Sequence, residues 1–167
     1  LLQFPVAMFG AIRAGVIIVN TNPLYTAKEM RHQFKDSGAK AILILANFAD
    51  KLAEVIDDTD IEHVIVTEVG DIISGLKVIV TNLVVKYVKR MVPAYNLPGH
   101  IKFDQVLNEG RAKTYDHPHP KIDDSALLQY TGGATGLSKG ACLSHRNLLA
   151  NMMQIFAWIK PVLIGGQ

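Results

Sequence analysis

Cysteine is almost absent. Cys142 is the single one in 167 residues, so no internal disulfide can form, and a reducing, cytoplasmic compartment is the simplest setting. Charge of one sign is also missing in any concentrated form. Seventeen basic and 15 acidic residues leave a net charge of +2, and no lysine–arginine block is dense enough to bind nucleic acid. Long apolar runs are lacking as well. The opening stretch from Leu1 to Val19 is interrupted by Gln3, Pro5 and Arg13, which makes it a poor candidate for a span of about 18 apolar residues. It has neither the basic leader nor the small-residue cleavage site of a signal peptide. The chain begins on Leu1 as if in mid-helix and ends on Ile164-Gly165-Gly166-Gln167, which gives the expectation of an excised or truncated piece. There is no internal repeat and no low-complexity segment.

What is present suits a folded core: 49% hydrophobic and 19% charged residues argue against disorder. Phe4 to Ala14 reads as a buried helix ended by Gly15, and Val16 to Val19 as a short strand. After the turn chemistry of Asn20-Thr21-Asn22-Pro23, Thr26 caps a helix from Ala27 to Ser37. Glu29 completes a capping box, and Gly38 closes the helix. Ala41–Leu45 and His63–Thr67 read as strands around a helix from Phe48 to Asp57, whose acidic end (Asp57, Asp58, Asp60) should be solvated. This alternation predicts an α/β fold with a largely parallel sheet and crossover helices.

Leu76 to Val92 breaks the rhythm with a longer helix. At 100° per residue, Leu76, Val80, Leu83, Val84, Tyr87, Val88 and Met91 form one apolar stripe, with Asn82, Lys86, Lys89 and Arg90 opposite. The first expectation is that the stripe packs on the core. The alternative is a helix lying on a membrane surface, with its cations near anionic lipid. Pro93 and Pro98 end the segment, and Arg111 to Lys121 is a polar connector. Ala126 to Tyr130 reads as a strand and Gly140 to Leu143 as its hairpin partner, followed by a helix capped by Ser144 that runs to about Ile159.

Between those two strands lies Tyr130-Thr131-Gly132-Gly133-Ala134-Thr135-Gly136-Leu137-Ser138-Lys139-Gly140. Glycines free backbone N–H groups to converge on one point, Thr131, Thr135 and Ser138 add hydroxyl donors, and Lys139 adds a positive charge. The set suits an oxyanion, above all a polyphosphate, through charge-assisted hydrogen bonds. A Walker A loop needs Gly-Lys-Ser/Thr in succession, whereas here Ser138 precedes Lys139 and Gly140 follows it. A Rossmann fingerprint needs Gly-x-Gly-x-x-Gly opening a helix, whereas here strand-like residues follow the loop.

This segment resembles the first phosphate-binding motif of the adenylate-forming enzymes, which include acyl-CoA synthetases, luciferases and peptide-synthetase adenylation domains. Thr131, Gly132, Gly133, Thr135, Gly136, Lys139 and Gly140 match the motif, and Leu143-Ser144-His145-Arg146-Asn147 is also similar. Gly10-Ala11-Ile12-Arg13-Ala14-Gly15-Val16 resembles an earlier core motif of the family. Asn20 to Thr26, Val84 to Arg90 and Leu128-Gln129-Tyr130 are most similar to bacterial long-chain fatty-acid–CoA ligases. The resemblance spans the chain to about Asn151.

It implies that residues 1–167 form part of an N-terminal domain that carries the loop at 130–140. The ATP-phosphate-binding residues would be Tyr130, Thr131, Gly132, Gly133, Ala134, Thr135, Gly136 and Lys139, with Thr131 near a magnesium ion. The family usually has Thr or Ser where this chain has Ala134. One lost hydrogen bond to a charged group is worth about 1.5–3 kcal/mol, so the resemblance implies a weaker grip on ATP. Long-chain fatty acid and coenzyme A are the implied partners, with a peripheral position on the inner face of a membrane through Leu76–Val92. Oligomeric state stays open, a homodimer included. The family's aromatic–histidine segment, its magnesium-binding glutamate, its ribose-binding aspartate and its C-terminal lysine are not found, so this chain alone is expected not to complete a catalytic cycle. Two other readings remain: an adenylating enzyme for another carboxylate, and a non-catalytic module that binds nucleotide or a membrane.

Asp116, His117 and His119 read as solvated connector in preference to a metal site. Ser144 beside His145 reads as a helix cap and not as a nucleophile–base pair, because adjacent helical residues point apart. Cys142, Met153, Phe156 and Trp158 are expected to be buried packing residues.

Overall fold

The computed structural model describes residues 1–73, 76–132 and 138–164. Along the chain run α1 (Gln3–Arg13), β1 (Ile18–Asn20), α2 (Ala27–Ser37), β2 (Ala41–Leu45), α3 (Ala49–Ala53), β3 (His63–Thr67) and α4 (Leu76–Leu83). These are followed by β4 (Ile101–Lys102), α5 (Phe103–Arg111), β5 (Ser125–Thr131), β6 (Lys139–Ser144) and α6 (His145–Ile164). The expected α/β alternation is present, and its strands sort into two three-stranded sheets, β2-β3-β4 and β1-β5-β6. The chain divides into two compact units, one of residues 1–10 and 21–116, the other of residues 11–20 and 117–167.

In the first unit the sheet is parallel throughout, with Ala41 to Leu45 of β2 opposite His63 to Thr67 of β3, and Ile65 of β3 opposite Ile101 of β4. Met30 and Phe34 of α2 bury against Ile44, Val66, Leu52 and Val55. The start of α2 follows the predicted capping box. Thr26 Oγ1 accepts from Glu29 N at 3.3 Å, and the Glu29 carboxylate accepts from Thr26 N at 2.8 Å and Thr26 Oγ1 at 2.7 Å. The backbone hydrogen bond from Thr26, reinforced by the hydroxyl, holds the Glu29 carboxyl below the usual carboxylate range.

The single helix expected over Phe48–Asp57 is instead a broken spiral. A 3₁₀ turn (Ala46–Phe48), the short α3 and a second 3₁₀ turn (Ile56–Asp58) follow one another. The reason lies in the spacing of the buried residues. Ala46, Ala49, Leu52 and Val55 are all buried at intervals of three, and three residues per turn is the period of a 3₁₀ helix. The acidic end is exposed as expected, with Asp58 accepting an ion pair from Arg31 Nε at 2.9 Å.

The helix after position 75 differs more deeply from expectation. It is α-helical over Leu76–Leu83 and widens into a π turn over Val84–Val88. Its apolar stripe does not pack on the core: Leu76 is 80% exposed and Val88 75%, and Val80, Leu83, Tyr87 and Met91 are exposed too. Val78, Thr81, Asn82 and Val85 form the inner, half-buried face instead. Hydrogen bonding fixes this orientation. Gly70 N donates to Asn82 Oδ1 at 2.8 Å, and Asn82 Nδ2 donates to Asp71 Oδ1 at 3.2 Å. Asp71 Oδ2 accepts from Glu68 N at 2.7 Å and Thr67 Oγ1 at 3.0 Å. Farther along, Asn47 Nδ2 donates to the Met91 carbonyl at 2.9 Å. A buried turn with strong donors and acceptors to satisfy draws the asparagine inward, and the stripe is turned out. The end of the segment is closed by Arg90 at a positive φ of 50°, with Met91 N donating to the Val85 carbonyl at 3.0 Å.

In the second unit, β1 runs parallel to β5, which pairs antiparallel with β6. Gly15 closes α1 as predicted. It adopts a φ of 67°, its N–H donates to the Ile12 carbonyl at 3.1 Å, and Val16 N donates to the Ala11 carbonyl at 3.0 Å. Those two bonds make a Schellman cap, which delays β1 by two residues relative to the sequence expectation. A side chain at position 15 would meet Pro118 Cγ at 3.1 Å.

Candidate functional site

The hairpin predicted around the glycine-rich loop is present. Thr131 stands opposite Lys139, Tyr130 opposite Gly140, and Gln129 opposite Ala141. Directly opposed residues carry their side chains on the same face of the sheet, roughly 4.5–5.5 Å apart at Cβ. The hydroxyl of Thr131 and the ammonium of Lys139 therefore flank the mouth of the connection together, and both residues are exposed. Gly132 is exposed beside them. Gly133, Ala134, Thr135 and Gly136, the other residues expected in the cradle, lie outside the described residues.

Tyr130 sits one residue deeper and is buried. Its ring crosses directly over Gly140, where an added Cβ would meet ring carbons at 3.0 Å. The glycine at 140 is thus a matter of close approach, and the packed ring forms a rigid floor under the loop's two ends. β1 adds a third element. Asn20 pairs with Gln129 in the parallel register, so β1 and β5 end side by side at the edge that carries Thr131. Ligands of open α/β sheets bind outside the carboxyl ends of parallel strands, which is where this loop lies. The placement of Asn20 beside the loop's strand was not legible in the sequence. Its only trace was the turn-forming Asn20-Thr21-Asn22-Pro23.

The return strand is anchored by α6. Ser144 caps it as predicted: Asn147 N donates to Ser144 Oγ at 3.3 Å, and Asn147 Oδ1 accepts from Ser144 N at 3.0 Å. Arg146 forms a two-pronged pair with Asp123, Nε to Oδ1 at 2.6 Å and Nη2 to Oδ2 at 2.9 Å. The hydrogen bond from Arg146, with its charge, holds the Asp123 carboxyl below the usual range, and Asp123 raises Arg146 in turn. Arg146 N also donates to the Ile122 carbonyl at 2.8 Å, which ties the start of α6 to the turn that enters β5. Both ends of the hairpin are therefore fixed, and the chemistry this supports is the holding of an anion by a hydroxyl and a cation on preset strands.

Two other expectations are corrected here. Cys142 is exposed and lies 3.0 Å from Ser125 Oγ, because β6 is the outer strand of its sheet. Met153, Phe156 and Trp158 are exposed, Trp158 at 87%, because α6 leaves the sheet at His145 and no described element covers these three side chains. His117 and His119 stack with centroids 5.4 Å apart. Among the described residues no group of three or more His, Cys, Asp or Glu could hold a metal ion. No described helix is long and apolar enough to cross a membrane.

Comparison with known proteins finds clear relatives. The family model of AMP-binding enzymes matches residues 1–164. The chain is 53% identical over 167 residues to a long-chain-fatty-acid–CoA ligase of Escherichia coli O6:H1, covering 100% of this chain and 30% of the relative. It is 52% identical to the same-named ligase of Salmonella typhimurium over the same shares. The chain thus spans about 30% of the length of these curated relatives. Among solved structures, a long-chain-fatty-acid-CoA ligase from Archaeoglobus fulgidus superposes with a TM-score of 0.64 at 23% identity, covering 93% of this chain and 25% of that one.

Proposed function

The chain belongs to the AMP-binding enzyme family, and from that premise we propose that it is the phosphate-gripping part of a long-chain fatty-acid–CoA ligase. The observation that carries the reading is the hairpin, which opens its Thr131–Lys139 pair at the carboxyl ends of parallel strands over the fixed Tyr130–Gly140 contact. The reaction joins a carboxylate to ATP, giving acyl-AMP and pyrophosphate, and then moves the acyl group to the thiol of coenzyme A.

A fatty carboxylate is a poor acyl donor because its leaving group would be an oxide. Attack of its oxygen on the α-phosphorus solves this, provided the departing pyrophosphate is held in line and its charge is offset. Lys139 supplies a fixed positive charge for the β- and γ-phosphates and takes no proton. Thr131, Gly132, Gly133, Ala134, Thr135 and Gly136 supply hydroxyl and backbone N–H donors. Tyr130 acts from below, by fixing where the two strand ends stand. Magnesium would supply further charge neutralisation when bound, and on this reading the Thr131 hydroxyl is the group that would face it. Residues 1–167 are read as part of an N-terminal domain, with the acyl pocket and the thiol-transfer machinery contributed from elsewhere. Long-chain fatty acid and coenzyme A are the partners on this reading.

Pyrophosphate exchange into ATP, driven by a long-chain fatty acid, tests it in the full-length protein. Lys139→Ala is expected to slow exchange by about 10²-fold, the usual loss on removing one electrostatic stabiliser of a transition state. Unchanged exchange would remove the assignment of the loop.

A further inference from the structure

The face of the β1-β5-β6 sheet that carries Thr131 and Lys139 is built in rows, because opposed residues, and residues two apart on one strand, point the same way. Ile18, Leu127 and Leu143 form the deepest row, Asn20, Gln129 and Ala141 the next, and Thr131 and Lys139 the last, at the loop. Apolar side chains give way to neutral amides and then to a cation over two steps of about 6.6–6.8 Å each. None of these residues is acidic. Lys139 is exposed, and no carboxylate stands in the rows below it to take up its charge.

Gln129 occupies the centre of the middle row. It is half-buried, with Asn20 on one side and the small Ala141 on the other. Its Nε2 donates to the Tyr130 carbonyl at 3.3 Å. That carbonyl belongs to the peptide leading into Thr131, where β5 has run past the end of β1 at Asn20. Gln129 thus takes hold of the main chain at the point where one neighbouring strand has stopped. Across the hairpin Lys139 is its diagonal neighbour, at roughly 7–8 Å, a separation that two long side chains can close. A glutamate has the same length and shape, but it would turn that diagonal into an ion pair and offer the Tyr130 carbonyl no N–H.

We propose that Gln129 is a positioning residue for the phosphate grip. Its amide fixes the peptide entering Thr131, and its neutrality keeps the Lys139 charge for the ligand, the β- and γ-phosphates of ATP. This role rests on the phosphate-gripping reading of the hairpin, and it adds the residue that sets how much of the lysine's charge the nucleotide meets.

Pyrophosphate exchange in the full-length protein, driven by a long-chain fatty acid, tests the role through kcat/KM for ATP. Gln129→Met keeps the length and removes the N–H, for an expected loss of about 3-fold. Gln129→Glu also adds a charge and should lose roughly a further 10-fold, the effect of one unit charge across that diagonal in a partly wet site. Two readouts separate this from a merely structural part. The Gln129→Glu loss should recede as pH falls through the pKa of the introduced carboxyl, whose protonated form is neutral and donates again, while the Gln129→Met loss relative to the parent stays level. In a Lys139→Ala background, Gln129→Glu should cost no more than Gln129→Met, because the charge it would mask is gone. Equal losses for the two single variants overturn the proposal, as does a Gln129→Glu loss that persists at low pH or is undiminished beside Lys139→Ala. A lower melting temperature with kcat/KM unchanged overturns it too. If Lys139→Ala itself leaves exchange unchanged, the phosphate-gripping reading fails and takes this role with it. If Lys139→Ala slows exchange and the Gln129 variants do not, this role alone falls.

Discussion

Exchanging the side chains of Asp71 and Asn82 should restore what either change alone destroys. Asn82 bridges the Gly70 N–H and the Asp71 carboxylate, and Asp71 also accepts from Glu68 N and the Thr67 hydroxyl. Asn82→Asp keeps an acceptor for Gly70 but sets a carboxylate against a carboxylate across a 3.2 Å contact. Two unit charges at about 4 Å repel by roughly 4 kcal/mol at an effective dielectric near 20, and half-exposure of the pair lowers the expected cost to about 2–3 kcal/mol. Asp71→Asn keeps an oxygen for Glu68 N and Thr67 but turns an amide NH₂ toward the NH₂ of Asn82, for about 1–2 kcal/mol. With both changes, the new amide at position 71 donates to the new carboxylate at position 82, and every donor again has an acceptor. The double variant should therefore unfold in urea within about 1 kcal/mol of the parent, a coupling of about 2–4 kcal/mol. Single costs that simply add, to within about 0.5 kcal/mol, would show that the two residues do not hold one another.

Two further outcomes follow from the same geometry. Thr26→Ala removes the cap of α2 and should cost about 1 kcal/mol in thermal unfolding. It should also flatten the acid limb of stability in part, since the hydroxyl donor is lost while the backbone N–H at position 26 still donates to Glu29. The Glu29 carboxyl is depressed in the folded chain, so its contribution is present above its unfolded pKa and is lost as pH falls through its folded one. Melts recorded from neutral to acidic pH check this, and an acid limb unchanged in the variant would contradict it. Gly140→Ala puts a Cβ against the Tyr130 ring at 3.0 Å and should cost about 1–2 kcal/mol, with a higher KM for ATP in the full-length protein. Equal melting temperature and equal KM would mean the ring yields freely and does not set the loop.

Local punctuation was the most legible part of the fold. Thr26 with Glu29, Gly15, and Ser144 announced helix ends by chemistry that acts within four residues, and each holds in three dimensions. The strands Ala41–Leu45 and His63–Thr67 were equally plain, because a five-residue apolar run between turn signals has few other uses. The candidate site was legible as composition and as a hairpin, yet Asn20 beside Gln129 depends on a parallel pairing between segments more than a hundred positions apart. Periodicity misled where a distant polar demand outweighed it. The stripe from Leu76 identified an amphipathic helix correctly, but the direction it faces was decided by the N–H of Gly70 and the carboxylate of Asp71. Trp158 and Cys142 were assigned to an interior from residue type alone, and residue type says nothing about whether a neighbouring element lies over that face.

The π turn at Val84–Val88 has a mechanical consequence. A π turn advances each residue through a smaller angle than an α turn, so the winding slows just where an α-helix would carry Val88 around toward the flank. The slower pitch acts like a change of gear: Val88 stays in line with Leu76, Val80 and Leu83, and a rail that would otherwise spiral away runs straight for one more turn.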